Sequence, residues 1–428
     1  MSSARIEIAA DGDKQVDAGS RLYQWPLAAG HTDTMRAGID WHATQFGRPA
    51  APAKDLLRVV TAAYIADRTT RQPAKALTRP LALIVHVEQP DAWTDTALEQ
   101  TVDLLHWLTG DDWALRCVPS KAKLPEPEQT LDLDVAAAAD DICLVSGGLD
   151  SLCGALIRLR QPGTPFFLGH ADASTLIRRA QGDLQKHFAA QTPPRTYTQY
   201  PMRHRRDVKH RTPKTRSLFF MSMAIAAASG MGASRVLVPE NGFTSINPPL
   251  EPSRAGVMTT RSTHPWTFYA ITELLATLGL TGVTVVNPHH DLTKGQLLAV
   301  AMPGATPDDQ KLAAATVSCA KPNPGRPPGG DPNTQCGICI ACLVRRAAFI
   351  AADVPDLTPY AVERWAKAPA EAVRHARRHD VAAWRSATEN GIARHRVLGS
   401  AIWPPGTDFD HVLDLVHRGL QELAHVPV

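Results

Sequence analysis

A six-residue run in the first half of the chain constrains the fold more than any other feature. The run consists of Ser146, Gly147, Gly148, Leu149, Asp150 and Ser151. An unbroken apolar stretch at residues 142–145 precedes it, which is typical of a strand buried on both faces. After the run, leucines at positions 152, 156 and 159 recur at helical spacing. The sequence therefore predicts a tight turn from a buried parallel strand into a helix.

The composition of this turn indicates that it binds phosphate or pyrophosphate. Two adjacent glycines let a ligand approach the main chain without meeting a Cβ atom. Inward-pointing amides and the N-terminus of the following helix together bind anions, and the Ser146 and Ser151 hydroxyls can donate further hydrogen bonds. The alternative is a glycine turn that only ends a strand. The predicted ligand-binding residues are Val145, Ser146, Gly147, Gly148, Leu149, Asp150 and Ser151.

Length and charge limit the number of domains and the kinds of partner that the chain can have. The chain has 428 residues, which favours two or three domains. Its 45 basic and 42 acidic side chains give a net charge of +3, so the bulk charge does not favour direct nucleic-acid binding. No apolar run approaches the ~20 residues of a membrane span, and the first residues lack the order of a secretory signal. We therefore expect a cytoplasmic protein without membrane contacts.

Alternating strand and helix patterns divide the chain into four segments. Residues 1–120 have the pattern of an N-terminal α/β accessory domain, and residues 121–140 form a polar, proline-bearing linker. Residues 141–345 repeat short apolar strands and helices, which predicts a doubly wound parallel sheet with its ligands beyond the carboxyl ends of the strands. Residues 346–428 have the pattern of a helical C-terminal extension. The predicted strands of the doubly wound sheet are residues 142–145, 165–169, 197–202, 235–238 and 283–286.

Two cations stand where they can meet a bound phosphate. Arg216 ends a basic stretch at residues 202–216 and begins an apolar helix whose start faces the ligand in this architecture. A cation there can neutralise a triphosphate or a departing pyrophosphate, and a solvated loop is the alternative. Lys294 lies near the start of a later helix, where the helix dipole disfavours a cation. A bound phosphate or carboxylate is therefore expected beside Lys294.

A polar, glycine-bearing segment follows the fourth predicted strand at residues 239–249. Substrate pockets are commonly built from such segments, because they lie at the carboxyl end of a strand in a parallel sheet. A glycine turn without a ligand is an equal alternative on the residues alone, and both interpretations stay open.

Four cysteines have the spacing of a metal site. Cys336, Cys339 and Cys342 are separated by two residues each, and Cys319 precedes a long loop rich in Pro and Gly. Gly337 permits a tight turn in which the three thiolates converge, while Cys319 supplies the fourth corner of a tetrahedron. The preferred interpretation is a closed structural Zn²⁺ site, and a redox Cys pair or an iron–sulfur cluster are the alternatives. Three further cysteines are expected to be small core residues: Cys117, Cys143 and Cys153.

The order of these motifs resembles the 7-cyano-7-deazaguanine synthases, the QueC family of PP-loop ATP pyrophosphatases. The resemblance covers residues 140–350 and rests on the glycine turn, Arg216, residues 291–294 and the cysteine cluster. It implies a PP-loop (HUP-like) fold with a zinc knuckle, which binds ATP together with Mg²⁺. Enzymes of this family adenylate the carboxylate of 7-carboxy-7-deazaguanine, ammonia displaces AMP to give an amide, and a second ATP dehydrates the amide to a nitrile.

The resemblance also implies a role for each predicted site residue. The glycine turn would hold the ATP phosphates, while Arg216 and Lys294 would offset the charge that develops during the reaction. The residues expected to be catalytic are Asp150, Arg216 and Lys294. The residues expected to bind Zn²⁺ are Cys319, Cys336, Cys339 and Cys342.

The chain departs from the family in its length. It is longer at both ends, its loop between Cys319 and Cys336 is longer, and residues 240–247 lack an acidic-aromatic run. This layout is similar to long QueC-like proteins of bacterial anti-phage defence cassettes, which implies partner proteins from such a cassette. The leading hypothesis is an ATP-dependent ligase that activates a 7-deazapurine-like carboxylate for attack by ammonia or a protein amine. The alternatives are a PP-loop enzyme that thiolates RNA and a nucleotide-binding subunit without catalysis.

Overall fold

Two parallel sheets organise the protein. The computed structural model describes residues 4–73, 76–123, 138–171, 174–204, 213–251, 261–320, 334–363 and 371–427. Three predicted features lie partly outside these ranges, namely the linker at residues 121–140, the basic stretch at residues 202–216 and the loop between Cys319 and Cys336. Among the described residues, no helix is both long and apolar enough to cross a bilayer.

The first parallel sheet is built from the N-terminal residues. In chain order, the elements here are β1 (Ala4–Ala10), β2 (Arg21–Trp25), β3 (Gly30–His31), β4 (Met35–Ala37), α1 (Ala51–Thr69), β5 (Pro80–Val87), α2 (Asp95–Thr109) and β6 (Asp112–Pro119). The sheet has the strand order β2-β1-β5-β6, and every neighbouring pair is parallel. The predicted mixture of helices and strands in residues 1–120 is therefore confirmed.

The second parallel sheet carries the glycine turn. Its region contains β7 (Asp141–Leu144), α3 (Leu149–Leu159), β8 (Pro165–His170), α4 (Thr175–Ala189), β9 (Tyr197–Tyr200), β10 (Met202–His204), α5 (Arg216–Met231), β11 (Arg235–Leu237), α6 (Gly242–Ile246), α7 (Pro265–Thr277) and β12 (Thr284–Val286). The strand order is β12-β11-β7-β8-β9, with all pairs parallel. β7 is the first strand of this sheet in sequence and lies at its centre. The strands that follow along the chain are added first on one side of β7 and then on the other, so the strand order reverses beside it. Ligands of open α/β sheets bind at such a point, and the glycine turn follows β7 directly.

One predicted strand is wrong in its extent. The prediction of a single strand at residues 197–202 fails because the chain leaves the large sheet at Pro201, which lacks the amide hydrogen that a strand needs to continue its ladder. The Pro201 carbonyl instead accepts a hydrogen bond from the Gly38 amide at 2.9 Å. The next residues form β10, which pairs antiparallel with β4 in a small sheet of order β10-β4-β3. The other four predicted strands are confirmed to within one residue at each end.

The two parallel sheets share one hydrophobic core. Helix α5 is almost entirely apolar, and its residues are buried along most of its length. It packs against α1, where the rings of Tyr64 and Phe219 stack with their centroids 5.1 Å apart. A second contact joins α2 to α7, because Trp107 Nε1 donates to Thr267 Oγ1 at 2.9 Å. The N-terminal sheet therefore buries part of the apolar surface of the sheet that carries the glycine turn.

The remaining helices place the end of the chain beside Lys294. They are α8 (Lys294–Ala301), α9 (Pro307–Ala315), α10 (Ile340–Ala351), α11 (Glu371–Asn390), α12 (Arg394–Leu398) and α13 (Phe409–Ala424). Thr293 and Gln296 form a capping box at the start of α8. The Glu422 carboxylate of α13 accepts hydrogen bonds from the Thr293 hydroxyl and, at 3.1 Å, from the Gly295 amide. An anion is favourable at a helix N-terminus, so α13 stabilises the turn that carries Lys294.

Candidate active site

The glycine turn joins β7 to α3, as the sequence predicts. Gly147 has a φ of +93°, a backbone conformation that favours glycine, and Gly148 is the N-cap residue of α3. The Ser151 hydroxyl accepts from the Ser146 amide at 3.2 Å and donates to the Gly148 carbonyl at 2.9 Å. The first amides of α3 have no acceptor within the helix, because they lie in its first turn. The turn thus presents main-chain amides at the positive end of a helix, which is an arrangement that binds anions.

Neighbouring segments hold this turn in place. The Tyr197 hydroxyl donates to the Val145 carbonyl at 2.8 Å, and the Val317 amide donates to the Gly147 carbonyl at 2.9 Å. The side chains of Val145 and Leu149 are both buried. These two predicted residues therefore contribute main-chain atoms and packing to the turn, whereas their side chains belong to the core.

The structure brings Asp150 and Lys294 together in a buried polar cluster. Lys294 Nζ lies 2.5 Å from Asp150 Oδ2, and Asn241 Nδ2 donates to the same oxygen at 3.2 Å. The Thr244 hydroxyl donates to Glu240 Oε1 at 2.8 Å. Asn241 also caps α6, since its side chain accepts from the Thr244 amide at 3.0 Å. The polar segment at residues 239–249 therefore supplies side chains to the same cluster as the glycine turn.

The charges of this cluster are unevenly distributed. Burial acts to raise the pKa of Asp150, but the positive charge of Lys294 and hydrogen bonds outweigh it and hold that pKa below its ordinary value. Burial, followed by the negative charge of Asp150, raises the pKa of Glu240 well above its ordinary value. The surroundings therefore favour the charged form of Asp150 beside Lys294 and the protonated form of Glu240.

A cavity of about 530 Å³ connects this cluster with the glycine turn and the cysteine segment. The turn contributes Ser146, Gly148, Leu149, Asp150 and Ser151 to its lining. Glu240, Thr244 and Lys294 form a second wall, and Ser318 and Cys339 belong to a third. The volume lies within the range of small-molecule sites in proteins. The turn and the Asp150–Lys294 pair therefore face the same space.

Arg216 lies on the other side of the glycine turn from Lys294. It lines a recess of about 230 Å³ together with Ser146, Gly147 and Gly148. Its guanidinium lies over the Phe220 ring, 5.2 Å from the ring centroid. Arg216 is therefore adjacent to the turn, as predicted, but Arg216 and Lys294 line different cavities that share the turn as a common wall.

The four predicted metal ligands converge in a buried cluster. All four sulfur atoms lie within 4.8 Å of one another, and the Cys319–Cys339 and Cys336–Cys342 pairs are 3.9 and 3.8 Å apart. Tetrahedral coordination with Zn–S bonds of ~2.3 Å requires sulfur atoms about 3.8 Å apart. The cluster thus fits Zn²⁺ with four protein ligands and no open position.

Residues outside the cluster position its cysteines. Gly337 has a φ of +85°, and a Cβ atom there would lie 2.1 Å from the Val362 carbonyl oxygen, so only glycine fits. The side-chain oxygen of Gln335 accepts from the amides of Ser318 and Cys319 at 2.9 and 3.1 Å. These contacts hold the upstream cysteine beside the Cys336–Cys342 turn.

Arg345 links the cysteine segment to the glycine turn, and the residues alone did not predict this role. Its buried guanidinium donates to Thr316 Oγ1 at 2.8 Å and to the Ala313 carbonyl at 2.7 Å. Val317 lies between Thr316 and Cys319 in sequence, and its amide donates to the Gly147 carbonyl. The residues missed by sequence reasoning are Glu240 and Asn241 as partners of Asp150, and Arg345. Glu240 and Asn241 lie in the polar segment at residues 239–249, and the position of this segment after a predicted strand was the sequence feature that could have indicated their role.

Comparison with known proteins finds partial similarity to one group of enzymes. The chain is 26% identical over 147 residues to the 7-cyano-7-deazaguanine synthase of Rickettsia canadensis. It is 28% identical over 148 residues to that of Desulfatibacillum aliphaticivorans and 25% identical over 148 residues to that of Rickettsia akari. Each match covers 34% of this chain, and the chain spans about half the length of these curated relatives, 54–56%. No protein-family model and no solved structure matches the chain.

The fold and the site together define an α/β protein with a glycine turn at the switch point of a parallel sheet and a buried four-cysteine cluster. Among known proteins, the chain is similar in part to 7-cyano-7-deazaguanine synthases, the QueC family.

Proposed function

We propose that this protein is an ATP-dependent ligase that activates the carboxylate of a 7-deazapurine-like acid. The observation that carries the proposal is the cavity of about 530 Å³, in which the glycine turn and the Asp150–Lys294 pair face the same space. A turn that binds anions suits the phosphates of ATP, and a buried ammonium beside it suits a reaction that builds up negative charge. The partial similarity to 7-cyano-7-deazaguanine synthases supports the choice of acid.

The proposed reaction has two steps. A carboxylate oxygen of the acid attacks the α-phosphorus of ATP, the bond from that phosphorus to the β-phosphate bridge breaks, and pyrophosphate leaves. The nitrogen of ammonia or of a protein amine then attacks the acyl carbon, AMP leaves with the bonding electrons, and the nitrogen loses a proton. Lys294 and Arg216 would stabilise the phosphate charge from opposite sides of the glycine turn. Positioning of the two reactants would supply much of the remaining acceleration.

Two metals belong to the proposal. The four-cysteine cluster would hold Zn²⁺ in a structural role, since all four positions are protein sulfurs. Mg²⁺ would enter with ATP and neutralise phosphate charge. The Asp150 carboxylate lies at the wall of the same cavity, so it offers the kind of oxygen ligand that Mg²⁺ prefers.

We also propose a setting for the reaction. The layout of the chain is similar to QatC, a member of bacterial anti-phage defence cassettes, so a cytoplasmic partner protein from such a cassette would carry the acceptor amine. Co-purification with the cassette proteins, followed by intact-mass measurement of each, would reveal a deazapurine adduct on the acceptor. Partner masses that stay unchanged while pyrophosphate is released would point to ammonia as the nucleophile.

The direct experiment measures pyrophosphate release. Zinc-loaded protein is incubated with ATP, Mg²⁺ and 7-carboxy-7-deazaguanine, and we expect pyrophosphate only when the acid is present. Asp150→Ala should abolish the release, whereas Asp308→Ala, at an exposed carboxylate on α9, should retain it. Absence of release from folded protein with this acid and its close analogues would contradict the proposal. Nucleotide binding without turnover, even with cassette partners, would instead favour a non-catalytic subunit.

RNA thiolation is less well supported than carboxylate activation. That chemistry needs a reactive thiolate near the nucleotide, but four of the cysteines form the buried cluster. Burial raises the pKa of Cys143 to about 12 and also raises that of Cys153, so these thiols stay protonated. Elemental analysis distinguishes the two functions further, since an iron–sulfur cluster in place of zinc would favour thiolation.

A further inference from the structure

A second cavity lies beyond the carboxyl end of β12, on the opposite side of α6 from the candidate active site. Its volume is about 520 Å³, close to that of the first cavity. Gly242, Ser245 and Ile246 of α6 line the second cavity, whereas Thr244 of the same helix lines the first. Thr263 lines both. The two cavities are therefore neighbours that share a thin wall, and each has space for its own ligand.

The lining of the second cavity combines aromatic rings with carboxylates. Phe268, Tyr269 and Trp403 supply three rings, and Asp291 and Asp408 supply two carboxylates. No lysine or arginine occurs among the lining residues of the described chain. The faces of aromatic rings carry partial negative charge and attract cations. Both components of the lining thus favour a positively charged ligand.

Asp291 is the carboxylate best placed to meet such a ligand. Its Oδ1 atom lies 3.0 Å from Nε2 of both His290 and His411, which also line the cavity. Arg418 forms its ion pair with Asp414 at 2.7 Å, and its Nη2 also donates to the main-chain carbonyl of Asp291 at 3.2 Å, not to the Asp291 carboxylate. Asp408, by contrast, accepts hydrogen bonds from two amides at the start of α13, where the helix dipole offsets part of its charge.

The rest of the lining is apolar and suits a hydrocarbon group. Ile246 and Leu415 are buried side chains that form the inner wall. Trp403, itself half-buried, packs against Phe409 with ring centroids 5.9 Å apart, and Phe409 is 37% exposed beside the cavity. A ligand with only a charge would leave this surface in contact with water. The cavity therefore suits a charge that is attached to an apolar body.

From these observations we propose that the second cavity binds an organic ammonium ion with an apolar stem. The ammonium group lies near Asp291 and the ring faces, and the stem packs against Ile246 and Leu415. Because α6 separates this cavity from the first, the ammonium ion and a nucleotide can be bound together. The proposal concerns binding alone and does not depend on adenylation.

The test compares three probes of similar shape and different charge. Binding of phenethylamine, 2-phenylethanol and 3-phenylpropionate to the full chain is measured by ligand-observed NMR at pH 8, without ATP, so that a failed adenylation assay has no influence on the result. At this pH the amine is charged and histidine is mostly neutral. We expect phenethylamine to bind about tenfold more tightly than 2-phenylethanol, and 3-phenylpropionate to bind most weakly.

Variants assign the binding to this cavity. Asp291→Asn should reduce the preference for the amine over the alcohol by about fivefold while leaving alcohol binding unchanged. Trp403→Ala should weaken both probes. Asp410→Asn, at an exposed carboxylate of α13 outside the cavity, serves as the matched control and should behave as the wild type. Equal affinities for amine and alcohol, tighter binding of the acid, no binding of any probe, or an amine preference that survives Asp291→Asn would each overturn the proposal.

Discussion

The Val317 amide donates a hydrogen bond of 2.9 Å to the Gly147 carbonyl, and this contact connects the two most distinctive motifs of the chain. Val317 precedes Cys319 by two residues, so the segment that carries the upstream cysteine also braces the glycine turn. Arg345 fixes the same segment from the other side through Thr316. If the cysteine cluster loses its structure, the glycine turn should therefore lose the hydrogen bond from Val317 that supports it.

Removal of one cysteine ligand tests this connection. Cys336→Ser should lower bound zinc from one ion per chain to a small fraction and lower the thermal unfolding midpoint, because the metal stabilises the folded cluster. Affinity for ATP should fall by about tenfold, since the turn loses part of its support. Elemental analysis, thermal unfolding and ATP titration measure the three effects. Cys117→Ser, away from the cluster, should leave the zinc content and the ATP affinity unchanged. Unchanged ATP affinity in metal-free Cys336→Ser would show that ATP binding does not need the contact between Val317 and Gly147.

Lys294 is expected to serve both stability and catalysis. Lys294→Met leaves the buried Asp150 carboxylate without its cation, which should cost about 3 kcal/mol in the free energy of unfolding. Pyrophosphate release should fall by about a hundredfold, because the phosphate charge loses a fixed partner. Urea unfolding and the pyrophosphate assay measure the two effects.

A double variant separates these two roles of Lys294. Lys294→Met combined with Asp150→Asn removes both charges, so stability should partly recover while activity stays lost. Lys311→Met, at an exposed lysine that pairs with Asp308, is the matched control. Recovery of activity in the double variant would contradict the proposed role of Lys294.

The two glycines of the turn should respond differently to alanine. At Gly147 the φ of +93° strains any other residue, and an added Cβ would lie 3.2 Å from Gln181 Cγ, so Gly147→Ala should lower stability by about 1 kcal/mol or more. At Gly148 the added Cβ makes only ordinary contacts at 3.4 Å. Gly148→Ala should therefore fold normally but bind ATP more weakly, because the methyl group blocks the approach of the phosphates.

Gly182→Ala is the control for both glycine variants. An added Cβ at this position in α4 meets no atom within 4 Å, so the variant should be slightly more stable and should bind ATP normally. Chemical unfolding and ATP titration measure all three variants. Normal ATP affinity in Gly148→Ala would contradict phosphate binding at the main chain of the turn.

Glu240 should make the stability of the ligand-free protein depend on pH. Its pKa in the folded state is raised above the ordinary value of 4.5, so above pH 4.5 the folded state keeps a proton that the unfolded state releases. The free energy of unfolding should therefore fall as pH rises from 4.5 toward the raised pKa. Glu240→Gln cannot ionise, so its stability relative to the wild type should increase over that range.

Urea unfolding of both proteins between pH 5 and 8 measures this difference. Glu273→Gln, at an exposed position of α7, should show no such trend relative to the wild type. A constant difference between Glu240→Gln and the wild type across this range would mean that Glu240 is already ionised in the folded protein.

Local sequence was sufficient to predict several features of this protein. The strand, the glycine turn and the helix after it follow from an apolar run, two adjacent glycines and leucines at helical spacing. The convergence of the cysteines was predictable from Cys336, Cys339 and Cys342, because three ligands on one tight turn leave few positions for a fourth. These features depend on neighbours in the chain or on strict coordination geometry.

Other features required the packed structure. Asp150 and Lys294 are 144 residues apart in sequence, and their ion pair forms only because α3 and α8 pack side by side. The capping of α8 by Glu422 and the departure of the chain from the large sheet at Pro201 likewise depend on distant segments. No local sequence pattern specifies which distant residues meet, because many other polar side chains of the chain could form the same ion pairs and hydrogen bonds. Burial of the surrounding apolar surface selects which of them meet.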